Sequence, residues 1–206
     1  MRVLFDGPAP VSYGQIYLTS DEVPDMEGAF AGQVNGLCGA VQPGSLFLMT
    51  GTHTGRVRFT VEVHDVEPPA AAQEWEEVVE VSFLPASPVA NLIPWGGGRL
   101  ARLPLTPQGQ DTGPLPVYRV RYCALGMDEG HDPFGGIDSD ELDEDDTSYL
   151  DRRPDRYLVC LWPEAGTGGG PGDGLPRADA ILRQTSGGAA YWHAWAGTLP
   201  APAESR

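Results

Sequence analysis

Lysine is absent from the 206-residue sequence, and all 13 of its basic residues are arginine. This absence excludes catalysis through a lysine Schiff base and a phosphate-binding loop that depends on lysine. The arginines are few beside 29 acidic residues, which gives a formal net charge of -16. So acidic a chain is a poor candidate for binding nucleic-acid backbone or an anionic membrane surface. It is instead suited to attracting basic partners.

Cysteine is also scarce, and long hydrophobic runs are missing. Cys38, Cys123 and Cys160 are odd in number and widely spaced, which matches neither a disulfide framework nor a zinc site. No apolar stretch has the length of a membrane span, and the apolar start of the chain is too short for a signal peptide. We therefore expect a soluble, cytoplasmic protein without a cofactor.

What the sequence does contain is a series of strand-like segments separated by turns rich in glycine and proline. The clearest is residues 56–64, where Val57, Phe59, Val61 and Val63 alternate with polar side chains, as in a strand with one buried face. Crossover helices between the strands are not indicated, which disfavours a parallel α/β fold. The pattern predicts a mainly β fold, an antiparallel β-sandwich or jelly roll. The other predicted elements are strands at residues 2–5, 12–19, 45–50, 77–84, 100–105, 117–124 and 157–162, a hairpin loop at 51–55 and a long connection at 85–98.

The remaining segments suggest the domain organisation. Residues 1–163 are predicted to form the β-sandwich domain, with residues 128–151 as an acidic insertion. Residues 164–176 are predicted to be a glycine-rich linker. Residues 177–197 are predicted to form one C-terminal amphipathic helix that packs on the sandwich. Its apolar stripe consists of Ile181, Leu182, Thr185, Ala189, Trp192 and Ala196.

The acidic run, residues 128–151, holds eleven Asp or Glu residues and no Arg; without it the net charge is about -5, an ordinary value for a domain. One interpretation is a solvated loop without a partner. Another is an anionic surface that engages a basic protein, because a string of carboxylates imitates nucleic-acid phosphates and can occupy a nuclease cleft. The predicted partner-binding residues are Asp138, Asp140, Glu141, Asp143, Glu144, Asp145, Asp146 and, outside the run, Trp75.

Calcium binding is a further interpretation of the same run. Asp138, Asp140, Asp143 and Asp145 supply the hard oxygen ligands that calcium prefers. Their spacing does not match an EF-hand loop, because the glycine after the ligand cluster and the spaced terminal Glu are both missing. The corresponding hypothesis is a calcium- or small-ligand-binding β-sandwich with carboxylates at its loop tips.

Two places outside the acidic run are also functional candidates. Trp75 lies between two glutamates, and a tryptophan in such a polar surround is a candidate for an interface. His64 follows Glu62 on a predicted strand and precedes Asp65, and a carboxylate–histidine pair can do acid–base work in an enzyme. No serine or cysteine in a nucleophile motif completes a triad there.

A series of landmarks along residues 10–126 allows a comparison with a known family. They are Ser12-Tyr13-Gly14-Gln15-Ile16, the strands at 46–49 and 57–63, the segment from Trp75 to Phe83, Leu103-Pro104-Leu105 and Tyr118-Arg-Val-Arg-Tyr122. Their order resembles the competence protein J family of small nuclease inhibitors. The resemblance implies a β-sandwich, no catalysis and a nuclease-like partner. The leading hypothesis is a non-catalytic protein-binding module, an acidic inhibitor or immunity-type protein that acts on a basic partner such as a nuclease.

Overall fold

The alternating and apolar segments form strands in the computed structural model, which describes residues 1–106, 115–131, 155–164 and 177–202. Within these ranges the strands are β1 (Arg2–Val11), β2 (Gln15–Thr19), β3 (Cys38–Gly39), β4 (Ser45–Met49), β5 (Gly55–Val63), β6 (Glu77–Phe83), β7 (Val89–Pro94), β8 (Ala101–Pro104), β9 (Tyr118–Leu125), β10 (Arg156–Pro163) and β11 (Ala180–Arg183). The helices there are α1 (Met26–Phe30), α2 (Met127–His131) and α3 (Gly187–Ala196).

The strands of the described ranges form two sheets. One has six strands in the order β1-β5-β10-β9-β6-β11, and the other has five in the order β3-β4-β2-β7-β8. Neighbouring strands are antiparallel except β5 and β10, which run parallel. The predicted mainly β, sandwich-like fold is confirmed. The apolar character of β10 on both faces agrees with its position inside a sheet, between β5 and β9.

The core is built from the inward positions of the alternating strands. On β5 the side chains of Val57, Phe59 and Val61 are fully buried. Phe59 contacts the stacked rings of Tyr122 and Tyr157, whose centroids are 5.6 Å apart. Burying one large apolar side chain contributes about 1.5–3 kcal/mol to folding. This aromatic cluster therefore ties β5, β10 and β9 together beneath the loops at one end of the sheets.

Part of the outer face of the six-stranded sheet, along β6 and β9, is buried as well, although the alternation places polar residues there. Residues 64–76, between β5 and β6, cover part of it: Nη1 of Arg121 donates a 2.6 Å hydrogen bond to the Pro69 carbonyl. Arg119 and Arg121 both bond the carboxylate of Glu80, at 3.1 and 2.9 Å. These buried charges are tolerated because each is paired and hydrogen-bonded.

The predicted C-terminal helix over residues 177–197 is wrong in its extent. Ala180–Arg183 instead forms β11, which pairs with β6 at the edge of the six-stranded sheet. The helix begins after Ser186, whose Oγ accepts a 3.2 Å hydrogen bond from the Ala189 N–H, as an N-cap residue does. The two glycines that follow the cap therefore belong to the first turn of α3 and not to the middle of a longer helix.

Three other segments also differ from the sequence-based expectation. Residues 51–55 do not close a hairpin, because they join β4 of one sheet to β5 of the other. Residues 85–98 contain β7, which pairs with β2 and β8. The acidic run begins inside helix α2, and its residues 132–151 lie outside the described ranges, as do residues 165–176 of the predicted linker.

Candidate functional site

The candidate site is organised around a tight turn that connects the two sheets. The turn joins β1 to β2, and the Gln15 N–H donates to the Ser12 carbonyl at 3.3 Å. Both central residues, Tyr13 and Gly14, have positive φ, 56° and 65°, as a type I′ turn requires. Tyrosine rarely adopts this left-handed conformation, which costs about 1–3 kcal/mol. The turn therefore presents the Tyr13 ring at the surface at a conformational cost.

Aromatic side chains cluster around this turn and are exposed. The Tyr13 ring meets His53 edge-on at 5.2 Å and Trp95 at 4.5 Å between centroids. Tyr13 is 55% exposed, Trp95 45% and Tyr191 64%. We call Tyr13, His53, Trp95 and Tyr191 the aromatic rim. Large aromatic residues are enriched at protein interfaces, since a ring offers much contact area with few rotatable bonds.

Three side chains of the aromatic rim, Tyr13, His53 and Tyr191, line a cleft of about 720 Å³, and Trp95 packs against Tyr13 beside it. Its walls come from the β1–β2 turn, the connection between β4 and β5, helix α2 and the first turns of helix α3. The volume lies in the range of sites that bind small molecules or protruding side chains. The lining residues are Tyr13, Gly14, Thr50, Gly51, His53, Met127, Asp128, His131, Gly187, Gly188, Tyr191 and Trp192.

One wall of the cleft is held in place by the buried carboxylate of Asp155. It accepts hydrogen bonds from the Thr52 N–H at 2.9 Å, the Thr52 hydroxyl at 2.8 Å and the Tyr157 hydroxyl at 2.5 Å. The Tyr157 oxygen in turn accepts a 2.7 Å bond from the Gly51 N–H. Burial raises the pKa of Asp155, and these hydrogen bonds oppose the rise. The network fixes the connection that carries His53.

Helix α2 packs on this wall so closely that two glycines are needed. A Cβ at Gly51 would lie 2.1 Å from the Met127 carbonyl oxygen, and a Cβ at Gly130 would lie 2.7 Å from a carboxylate oxygen of Asp155. Real Cβ atoms do not approach other atoms this closely. The first residues of the acidic run belong to α2. This contact therefore fixes the position of the start of the run relative to the cleft.

Another wall of the cleft is the beginning of helix α3. Asp128 accepts hydrogen bonds from the Gly187 N–H at 3.0 Å and the Gly188 N–H at 2.8 Å. A carboxylate stabilises a helix N-terminus, where N–H groups lack partners within the helix. A Cβ at Gly188 would lie 3.2 Å from Asp128, so glycine suits this approach. Asp128 therefore links α2 to α3 and has a structural role within the acidic run.

Most of the predicted partner-binding residues cannot be located. Asp138, Asp140, Glu141, Asp143, Glu144, Asp145 and Asp146 lie outside the described residues, so the protein-binding and calcium hypotheses for them stay predictions. Trp75 is half-buried: the guanidinium of Arg156 lies 5.1 Å from its ring centroid, and Arg156 also pairs with Glu74 at 2.8 Å. Trp75 does not line the cleft.

The third predicted place, around Glu62, His64 and Asp65, is partly assembled. His64 Nε2 and Glu62 Oε2 are 3.0 Å apart, with side chains 14% and 20% exposed, whereas Asp65 is 78% exposed and lies 3.5 Å from the amino group of Met1. Cys160 Sγ is 3.9 Å from Glu62 Oε2. Burial raises the pKa of the Cys160 thiol to about 12. Such a thiol is protonated at neutral pH and is a poor nucleophile.

Sequence reasoning missed most of the cleft. Tyr13 was part of a family landmark, and His53 was expected in an ordinary hairpin loop. One local signal was present: a Tyr-Gly pair between two strand-like segments has the position of a two-residue turn. The meeting of this turn with Trp95 and Tyr191 depends on the sheet order, which no local pattern indicates.

Comparison with known proteins gives a fold likeness. No family model matches the chain, and no curated protein matches it. Two similar solved structures are ComJ, inhibitor of the DNA degrading activity of NucA, from Bacillus subtilis, and crocagin biosynthetic gene J. ComJ is 12% identical with a TM-score of 0.46, and the match covers 79% of this chain and 98% of ComJ. The second is 14% identical with a TM-score of 0.43, over 79% and 97%.

ComJ is of the family that the sequence landmarks resemble. With these identities and TM-scores, neither likeness assigns a function to this chain.

In the described residues, no helix is both long enough and apolar enough to cross a membrane.

Proposed function

We propose that this chain is a non-catalytic protein-binding module that acts on a basic protein. The partner contacts the aromatic rim, places a side chain in the adjoining cleft, and is attracted by the acidic run. The observation that carries the proposal is the exposed ring cluster around Tyr13, which is presented on a strained turn beside the cleft. Strain that does not serve the core is typical of functional sites.

The chemistry of the cleft favours binding over catalysis. Asp128 uses both carboxylate oxygens to bond the first N–H groups of α3. The Nδ1 atom of His53 lies 2.9 Å from the Thr54 hydroxyl, and the His53 ring packs against Tyr13. These groups have positioning roles. What the cleft offers a partner is ring surface and a shaped recess, which are features of interface hot spots.

The charge of the chain supports a basic partner. The chain has a net charge of -16, and eleven of its acidic residues fall in the acidic run, which starts at the wall of the cleft. A concentrated negative charge raises the association rate with a basic protein and suppresses binding of acidic ones. A nuclease is the class of basic partner that we favour, because its nucleic-acid cleft is built to accept a row of negative groups.

Capture from a cell extract tests this proposal. The immobilised chain should retain a basic protein at low salt and release it along a salt gradient. In a charge-neutral variant, the nine Asp and Glu residues of positions 132–151 are replaced by Asn and Gln. This variant should release the same protein at clearly lower salt, because screening weakens long-range attraction.

The matched control is Val66→Asn, since Val66 is 74% exposed and does not line the cleft. It should behave as the unchanged chain does. Elution of an acidic protein, or of the same protein at the same salt from the charge-neutral variant, would remove the acidic run from the account. DNA-degrading activity in the eluted protein, suppressed when the chain is added back, would support the nuclease class.

A further inference from the structure

A cluster of one carboxylate, one imidazole and one thiol lies on the outer face of the six-stranded sheet. It is separate from the residues that line the cleft. Glu62 and His64 are two positions apart at the end of β5, so their side chains point to the same face. Cys160 on β10 lies opposite Glu62 in the parallel register. The ligand atoms of these three residues all lie within 4.8 Å of one another.

Two of the three distances between these atoms are close to those that a tetrahedral metal ion imposes. His64 Nε2 is 3.0 Å from Glu62 Oε2, and Cys160 Sγ is 3.9 Å from the same oxygen. Typical zinc–ligand lengths and a tetrahedral angle give about 3.3 Å for a nitrogen–oxygen pair and about 3.6 Å for a sulfur–oxygen pair. The third pair, Cys160 Sγ and the ligand nitrogen of His64, lies within 4.8 Å, where a tetrahedral ion requires about 3.6 Å, so the side chains would adjust as the ion binds.

We propose that Glu62, His64 and Cys160 form a binding site for a transition-metal ion of the zinc class. A set of one nitrogen, one sulfur and one carboxylate oxygen suits Zn²⁺ or Co²⁺ and does not suit calcium or magnesium, which take oxygen ligands. Three protein ligands leave the fourth tetrahedral position to water or to a small ligand. The site joins two parallel neighbours, β5 and β10.

The surroundings are compatible with an ion entering from solvent. The side chains of His64 and Glu62 are 14% and 20% exposed, while Cys160 is buried. The nearby cation Arg121 is paired with Glu80 at 2.9 Å and Glu67 at 3.8 Å. Arg121 is therefore held by other carboxylates and does not occupy the ligand position.

The competing explanation is an ordinary carboxylate–histidine pair beside a core cysteine. Titration of the full chain with Co²⁺ under reducing conditions separates the two explanations, because a cobalt–thiolate bond produces charge-transfer absorption in the near ultraviolet. We expect one equivalent of Co²⁺ to bind with this absorption, to displace the proton of the Cys160 thiol into the buffer, and to be displaced in turn by Zn²⁺.

Substitutions assign the ligands. Cys160→Ser should abolish the charge-transfer absorption, and the matched control Cys123→Ser, a buried cysteine on the neighbouring strand β9, should retain it. His64→Asn and Glu62→Gln, at partly exposed positions, should weaken Co²⁺ binding by more than about 100-fold, since losing even an outer partner of a metal ligand costs 10–100-fold. These two variants keep the test decisive if Cys160→Ser fails to fold.

Three outcomes would overturn the proposal. The first is no cobalt–thiolate absorption. The second is absorption that survives in Cys160→Ser or disappears in Cys123→Ser. The third is cobalt binding without the sulfur signal and unchanged by His64→Asn, which is the behaviour expected of loose binding to the acidic run.

Discussion

Tyr13 is the residue whose identity is least explained by the stability of the fold. Its left-handed backbone costs about 1–3 kcal/mol, and its contacts with His53 and Trp95 return about 0.5–1.5 kcal/mol each. These two terms nearly cancel. The ring is nevertheless 55% exposed, so its burial does not explain why a tyrosine stands there. The proposed contact with a partner would explain it.

Tyr157→Phe tests the network that holds the wall of the cleft. It removes one hydroxyl that donates to Asp155 and accepts from Gly51, leaving a buried carboxylate and an amide short of a partner. The free energy of unfolding should fall by about 1–3 kcal/mol, measured by urea denaturation. Tyr191→Phe, which removes a hydroxyl from a 64% exposed side chain, should change it little. Equal effects of the two substitutions would contradict the network.

Single residues also show which contacts can be predicted from the sequence and which cannot. The pairing of Glu62 with His64 was predictable because their spacing puts both on one face of a strand. Cys160 was not, since its approach to Glu62 requires a parallel pairing of strands that are far apart in sequence. Trp75 was predicted as a partner contact from its polar neighbours, but its stacking with Arg156, from an equally distant segment, was not predictable.

Among the elements, helix α3 depends on a histidine whose charge state matters. His193 is buried, and its Nδ1 accepts a 2.9 Å hydrogen bond from the Gly36 N–H. A protonated imidazole has no acceptor atom there. Burial lowers the pKa of His193 from 6.5, opposed by the charge of Asp179. As the pH falls, His193 is therefore protonated at a higher pH in the unfolded chain than in the folded chain.

The consequence is a stability contribution that is fully present above pH 6.5 and is lost as the pH falls through the lowered pKa of His193. His193→Asn removes the titration and can keep an acceptor oxygen. The stability advantage of the unchanged chain over this variant should shrink between pH 7.5 and about pH 5, as measured by thermal or urea unfolding at each pH. An advantage that stays constant across this range would exclude His193 as the titrating group.

The accuracy of the predicted elements depended on how local their signals were. Strand β5 was clear because one of its faces is apolar and the other is polar over its whole length. The C-terminal segment was wrong because apolar residues of β11 and α3 happen to continue one helical stripe. The N-cap Ser186 marked the true start of α3, but tertiary pairing with β6 was needed to show that β11 is a strand.

At the scale of the whole molecule, the two sheets bring loops from distant parts of the sequence to one end. The β1–β2 turn and the β4–β5 connection both cross between the sheets, and they meet α2 and α3 at the cleft. The alternating strand pattern predicted the sandwich, and the composition showed the excess charge. Neither predicted which loops converge, because convergence follows from the order of strands in each sheet.

The most direct test of the central claim is the affinity of the captured basic protein for Tyr13→Asn. Asparagine tolerates the left-handed turn, so the free energy of unfolding should stay within about 1 kcal/mol of the unchanged chain. Loss of an interface hot spot of about 2 kcal/mol weakens binding roughly 30-fold. We predict that weakening by isothermal titration calorimetry, with Val66→Asn unchanged. An unaltered affinity of Tyr13→Asn, in a chain that remains folded, would contradict the aromatic rim as the binding surface.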